Sequence, residues 1–141
     1  MRTILFIITI GISSLMGGDF TRANDVVTDS RSTLEWQDNN ETNSTTKTWI
    51  DAINYCENLT LSGKIDWRLP NLNELTSLVD DKRYNSSIDA IFQNISSNRY
   101  WSSTTNVNNN SLVWIVSFSY GGQNYYTKTD SYYVRCVRAG Q

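Results

Sequence analysis

The sequence contains no histidine, only two cysteines and a single proline. Without imidazole, Ser-His-Asp and Cys-His catalysis, histidine-ligated zinc and a histidine pH switch are all excluded. Two cysteines cannot supply a four-thiolate metal site. Basic residues are in slight deficit, with 12 Lys and Arg against 14 Asp and Glu and a formal charge of −2. That balance argues against nucleic acid as a partner, because phosphate binding needs a basic footprint. At 141 residues the chain is long enough for one domain with its own core and hardly for two.

At the N-terminus, Arg2 precedes an apolar run over 4–16 that is short for a membrane span of roughly 20 residues and suits the core of a secretory signal. Thr21 and Ala23 satisfy the small-residue rule for cleavage after Ala23, with a cut nearer Gly18 as the alternative. The expectation is a signal peptide over 1–23, a single domain over 24–141, and export to the periplasm, cell surface or medium. An uncleaved N-terminal anchor is the rival reading, and otherwise no membrane segment is expected. Export changes the meaning of Cys56 and Cys136, which are then expected to form a structural disulfide. The loop closed would be about 80 residues, worth roughly 4.5 kcal/mol by loop entropy. A redox pair is the competing reading, but no C-x-x-C motif occurs.

Val26-Val27-Thr28 and Thr33-Leu34-Glu35-Trp36 are short β-prone runs around a polar turn and predict a hairpin. Trp49, Ala52, Ile53, Cys56 and Leu59 recur at three- and four-residue spacing, which predicts an amphipathic helix over 48–59 with Thr48 as N-cap. Asn71 and Glu74 have capping-box spacing, so a second helix is expected from there to about Val79. The polar stretch 37–47 reads as a loop, and 88–92 as at most a short helix. Runs at 100–104, 112–118, 123–127 and 132–138 are rich in aromatic and β-branched residues and predict strands. Helices early and antiparallel strands late make an α+β arrangement.

Carboxylates are the only strong acid/base groups left. Asp66, Glu74, Asp80 and Asp81 lie close in sequence, and a hydrolase can be built from two such groups. The simpler expectation is that Glu74 caps a helix, Asp66 fixes a turn, and Asp80 and Asp81 are solvated. All five Trp are expected to be largely buried. Tyr120, Gln123 and Tyr125 around Gly121-Gly122, with Asn106, Asn108 and Asn109 in a neighbouring polar loop, are the candidate ligand residues, because rings stack on sugars and amides bond hydroxyls. Arg68 is expected in a structural ion pair or bonded to loop carbonyls. Arg135 and Arg138 fall on opposite faces of one strand and form no patch.

Asp66-Trp67-Arg68-Leu69-Pro70 with Glu74, then Tyr100-Trp101-Ser102-Ser103-Thr104, then Trp114-Ile115-Val116-Ser117-Phe118, and finally Tyr133-Val134-Arg135-Cys136-Val137-Arg138 resemble the DUF1566 family. This is the domain at the C-terminus of the Legionella collagen-like adhesin. The resemblance implies an exported bacterial protein with a C-type-lectin-like fold, two N-terminal helices packed on an antiparallel sheet formed mostly by the C-terminal half. It also implies that Cys56 pairs with Cys136. Asp66, Trp67, Arg68, Glu74, Trp101 and Arg135 would be structural motif residues. Some relatives act in attachment, including binding to sulfated polysaccharides. The implied function is non-catalytic, adhesin-like recognition of a glycan or surface protein, with an exported carboxylate enzyme or a structural part of an envelope assembly as alternatives; oligomers are compatible with all three.

The sequence has no collagen-like Gly-X-Y stretch and none of the Glu-Pro-Asn, Gln-Pro-Asp or Trp-Asn-Asp motifs that hold calcium and sugar in familiar lectins. No cofactor is expected. Cleavage after Ala23 would leave a charge of about −3, which weighs against binding sulfated glycans unless a local basic cluster forms.

Overall fold

The computed structural model describes residues 19–140. The chain enters through strand β1 (Phe20–Ala23), which turns at Asn24 and Asp25, both at positive φ, into β2 (Val26–Asp29). A second tight turn, with Thr33 at positive φ, leads to β3 (Leu34–Gln37). The β2–β3 pair is the hairpin that the sequence pattern predicts; β1, which falls within the expected signal peptide over 1–23, pairs antiparallel with β2 through all four of its residues. The run 4–16 lies outside the described residues.

The predicted loop over 37–47 contains a 3-10 turn, Asn40–Asn43, and a two-residue strand β4 (Thr46–Lys47). Helix α1 (Trp49–Glu57) follows, and its Ala52 and Cys56, four residues apart, are fully buried. Thr48 is its N-cap by position, but its side chain makes no capping bond. Helix α2 (Leu72–Thr76) has both capping-box bonds between Asn71 and Glu74. It ends three residues before the expected Val79, because the backbone tightens there into turns from Ser77 to Val79. Residues 88–92 form a bridge and turns and no helix.

The C-terminal half supplies the long strands β5 (Arg99–Asn106), β6 (Asn109–Ser117) and β7 (Gln123–Thr127). The predicted last strand, 132–138, is two strands: β8 (Tyr132–Tyr133) and β9 (Val137–Ala139). They belong to different sheets. One sheet has the order β1-β2-β3-β9, and the other β4-β8-β5-β6-β7. The single sheet expected from sequence is therefore corrected to two, because the chain leaves one ladder at Tyr133 and enters the other at Val137. The pairing of β8 with β5 is parallel, so the second sheet is mixed.

Two apolar clusters lie on the two faces of the larger sheet. Trp101, Val113 and Ile115 face α1 with Ala52, Cys56 and Cys136. Tyr100, Val116 and Phe118 face α2 with Leu75, Val27, Trp36 and Val137. Trp36, Trp67 and Trp101 are buried as expected, but Trp49 and Trp114 are only half-buried. The Cys56–Cys136 disulfide is formed, with Cα atoms 5.5 Å apart and both residues fully buried. It fastens α1 to the crossover between the sheets.

Beside it, Arg135 and Asp38 form a fully buried ion pair at 3.1 Å. Arg135 also donates to the carbonyls of Gln37 and Asn94. Asp38 accepts from Arg22 Nε at 2.6 Å and from the backbone N–H groups of Gln93 and Asn94 at 3.0 and 3.1 Å. Removing one member strands the other charge in the interior. Asp38→Ala is expected to cost roughly 3–5 kcal/mol in urea unfolding, with Asp38→Ala/Arg135→Met recovering part of that loss; equal stabilities of the single and double variants would contradict the coupling. Deleting 19–23 removes β1, the Arg22 bonds and the Phe20–Phe92 ring contact at 5.6 Å. Thermal unfolding of the shortened chain should come several degrees lower.

Candidate functional site

The candidate ligand residues fall into two groups that the fold separates. Asn106 and Asn109 are partners at the β5–β6 turn, with Asn108 between them. Their amides serve the turn itself: Asn106 Oδ1 accepts from Asn108 N at 2.9 Å, and Asn109 Oδ1 accepts from Ser111 N at 3.0 Å. Tyr120 lies in the β6–β7 turn, where Gly121 has φ +83° and the Tyr120 ring packs so closely over Gly122 that a Cβ there would sit 2.0 Å from it. Strand β6 runs nine residues between the two turns, a separation of roughly 25–30 Å at the rise of an extended strand. The two loops do not line one site. Gln123 and Tyr125 lie on β7, where Tyr125 stands directly across from Trp114. The two rings meet edge to face at 5.1 Å and 84°.

On the other side of β7 and β8, cations stack on rings. The Arg99 guanidinium lies 4.6 Å from the Tyr126 ring and 5.7 Å from Tyr132, and those two rings are 5.2 Å apart. Lys128 Nζ sits 4.6 Å over Trp49, whose backbone N–H donates to the Lys128 carbonyl. Lys47, across from Tyr132 in the β4–β8 ladder, places its ammonium 4.9 Å over Tyr55. Among the described residues none of these three cations forms a salt bridge, whereas Arg22, Arg31, Arg68, Arg135 and Arg138 all do. Each exposed cation–ring contact stabilises by about 0.5–1 kcal/mol. It holds the charge in place while leaving N–H donors open to a ligand.

Lys47 also borders a groove of about 490 Å³ between the 3-10 turn and α1, lined by Glu41, Asp51, Asn54 and Tyr55. Tyr55 donates to Glu41 and accepts from Gln37 Nε2 at 2.8 Å. Burial first, and then the Glu41 carboxylate, push its hydroxyl pKa well above the ordinary phenol value. Tyr55 is therefore a fixed neutral donor, and is no base. This cation–aromatic surface was missed from sequence because its members come from β4, α1, β5, β7 and β8. The only local signal was the Tyr126-Thr127-Lys128 alternation.

A family model described as the Lcl C-terminal domain matches residues 25–138. The chain belongs to the Lcl C-terminal domain family. No curated protein matches the sequence. Membership points to a surface-associated domain, and with the disulfide it suggests an exported protein. Among the described residues, no helix is long and apolar enough to cross a membrane, and no group of three or more acidic or cysteine side chains is placed to hold a metal ion.

In this Lcl C-terminal domain the sequence motif residues are engaged in internal contacts, two pairs of them with one another. Asp66 accepts from Arg138 Nε and Nη2 at 2.6 and 3.2 Å. Arg68 makes a two-pronged pair with Glu74 at 2.7 Å on each arm, so its partner is the helix cap and not the neighbouring Asp66. Trp67 and Trp101 are buried, and their indole N–H groups donate to the carbonyls of Lys64 and Lys47 at 3.1 and 2.8 Å. Arg135 and Arg138 form no common patch; each is buried against its own carboxylate. Asp80 Oδ1 accepts from Lys82 N at 3.0 Å, and Asp81 is exposed.

The Arg68 hydrogen bonds hold the Glu74 carboxyl pKa below its usual value of 4.5, against the opposing effect of burial. A group with a lowered folded pKa adds stability above its unfolded pKa and loses it as pH falls through the folded one. Glu74→Gln should therefore lower stability at neutral pH by about 1 kcal/mol, and the difference from the parent should vanish below the ordinary carboxylate range. Urea midpoints at neutral and acid pH check this; a difference independent of pH would contradict the assignment.

Proposed function

We propose that the protein is an exported, non-catalytic recognition domain of C-type-lectin-like architecture that binds an anionic glycan at the cell surface. The observation that carries this reading is the cation–aromatic surface of Arg99, Lys128 and Lys47 on Tyr126, Tyr132, Trp49 and Tyr55. The low overall charge of the chain is compatible with a local cationic surface, because several carboxylates are paired with arginines elsewhere. Asp38, Asp66 and Glu74 are each bound to arginine. Acids at this surface include Glu41, which accepts from the Tyr55 hydroxyl, and Asp130, 3.4 Å from the Tyr132 hydroxyl. A sulfate or carboxylate meeting Arg99 and Lys128 finds positioned donors, and adjoining rings receive the C–H face of the sugar that bears it. A glycan suits this surface better than a protein, because the patch is a rim of charges and ring edges and no continuous apolar area.

Heparin and its desulfated form, immobilised separately, test the proposal. The wild-type domain is expected to bind the sulfated form and to release it as salt rises, since exposed charges are screened within about 10 Å at 0.1 M. Arg99→Gln/Lys128→Gln should weaken binding roughly tenfold or more. Equal binding to both forms, or undiminished binding by the double variant, would overturn the reading.

A further inference from the structure

We propose that the opposite face of the β6–β7 hairpin, where Trp114 and Tyr125 pair across the strands, is a second binding surface that takes an uncharged sugar chain. Side chains alternate along a strand, so Leu112, Trp114 and Val116 share a face with Gln123, Tyr125 and Thr127, the register being Leu112 to Thr127, Trp114 to Tyr125 and Val116 to Gln123. Tyr126, which carries Arg99, points the other way. The two surfaces are thus back to back on one hairpin.

Three observations single out this face. Trp114 belongs to neither apolar cluster and packs on the edge of neither; it is half-buried beside Tyr125, which is 44 % exposed. An isolated, half-open indole on a sheet face is an uncommon place for the largest apolar side chain in a domain. Secondly, the edge-to-face contact holds the rings 84° apart, so the pair presents a fixed corner in place of two mobile rings. Thirdly, the polar groups beside the rings are held. Gln123 Nε2 donates to Thr76 Oγ1 on α2 at 2.7 Å, which fixes the amide and leaves its Oε1 free to accept. Thr127, two residues from Tyr125 on the same face, holds its hydroxyl 3.4 Å from Thr129 Oγ1.

The chemistry of the occupant follows from what this face contains and from what it does not. None of the six strand residues on it carries a charge. A sulfated or acidic ligand would gain no counter-charge there, and a cationic peptide would gain no carboxylate. What is offered is a ring corner with an amide acceptor and hydroxyl donors, complementary to a pyranose, which has apolar C–H faces and a rim of hydroxyls. A second copy of the chain is disfavoured by size. Two partly exposed aromatic rings present on the order of 200 Å², against the roughly 800 Å² per partner that a stable interface needs.

The proposal is independent of the anionic-glycan reading, and salt separates the two. Titration of the domain with cellohexaose, chitohexaose and xylohexaose, followed by calorimetry and tryptophan fluorescence, should give saturable binding of at least one with an affinity unchanged between low and high salt. Tyr125→Ala and Trp114→Ala should each weaken it roughly tenfold, and Trp114→Tyr should restore part of the loss. Tyr125 is exposed enough for its variant to fold, and an unchanged thermal midpoint confirms that. Three outcomes overturn the proposal: no saturable binding of any of the three hexaoses, binding that survives both alanine variants, or a dimer in sedimentation that Trp114→Ala dissolves.

Discussion

The ion pair between Arg135 and Asp38 is the constraint around which the two sheets are organised. Burying a carboxylate and a guanidinium costs several kcal/mol each unless their remaining donors and acceptors are also satisfied. Here Asp38 accepts four hydrogen bonds, from Arg22, Arg135, Gln93 and Asn94. Arg135 reaches two carbonyls as well, with the rings of Phe92 and Tyr100 flanking its guanidinium at 4.9 and 5.8 Å, although its buried Nε has no hydrogen-bond partner. The location explains the need. Between β8 and β9 the backbone leaves one ladder for the other, and its polar groups lose regular partners for several residues. Side chains fill the gap: the Gln37 amide oxygen accepts from Cys136 N, and Gln37 N donates to Cys136 O. The disulfide, one residue from Arg135, adds a covalent tie from the same crossover to α1.

Much of the local structure was legible because local chemistry decides it. The Asn71 and Glu74 capping box and the helix over Ala52 and Cys56 rest on residues within four positions of one another. The same holds for the β2–β3 hairpin, whose turn is short and polar. What escaped were features decided at long range. Residues 132–138 read as one strand because their alternation is unbroken, yet only tertiary contacts at Arg135 determine that the ladder changes there. Phe20–Ala23 satisfies a small-residue cleavage pattern and strand pairing equally well, and nothing within four residues distinguishes them. Asp38 and Gln37 sat unremarked at the start of a polar loop, since a buried acid and a solvated one look alike until the partner, 97 residues away, is brought alongside.

The candidate site was partly legible for the same reason. Gln123 and Tyr125 were picked out by composition, and the fold does place them beside Trp114. The asparagines of the β5–β6 turn were picked out by the same criterion, but Asn106 and Asn109 commit their side-chain oxygens to turn hydrogen bonds. Total charge says less about any one surface. It counts every carboxylate equally, whereas in the folded chain Asp38, Asp66 and Glu74 neutralise particular arginines, and Lys47, Arg99 and Lys128 are left over rings. The sign of a surface depends on which charges are already paired, and that information is tertiary.

Strand β7 is where these threads meet, because it is an edge of the larger sheet and carries one member of each ring cluster on adjacent residues that face opposite ways. An exposed edge invites pairing with another chain, and proteins blunt it with polar and charged side chains. Here Gln123, Asn124 and Thr127 interrupt the apolar content, and Lys128 closes the strand's end. The two tyrosines are each held from their own side, Tyr126 by the Arg99 guanidinium and Tyr125 by the Trp114 edge. Rings so held would lose little further entropy to a ligand, because ordering a side chain already ordered costs little. The neighbouring strand β6 is pinned between both apolar clusters, Ile115 on one face and Val116 on the other. The rigidity that the buried ion pair and the disulfide impose on the crossover is thus carried outward through the sheet to an edge that presents preorganised aromatic surfaces while remaining unpaired with other strands.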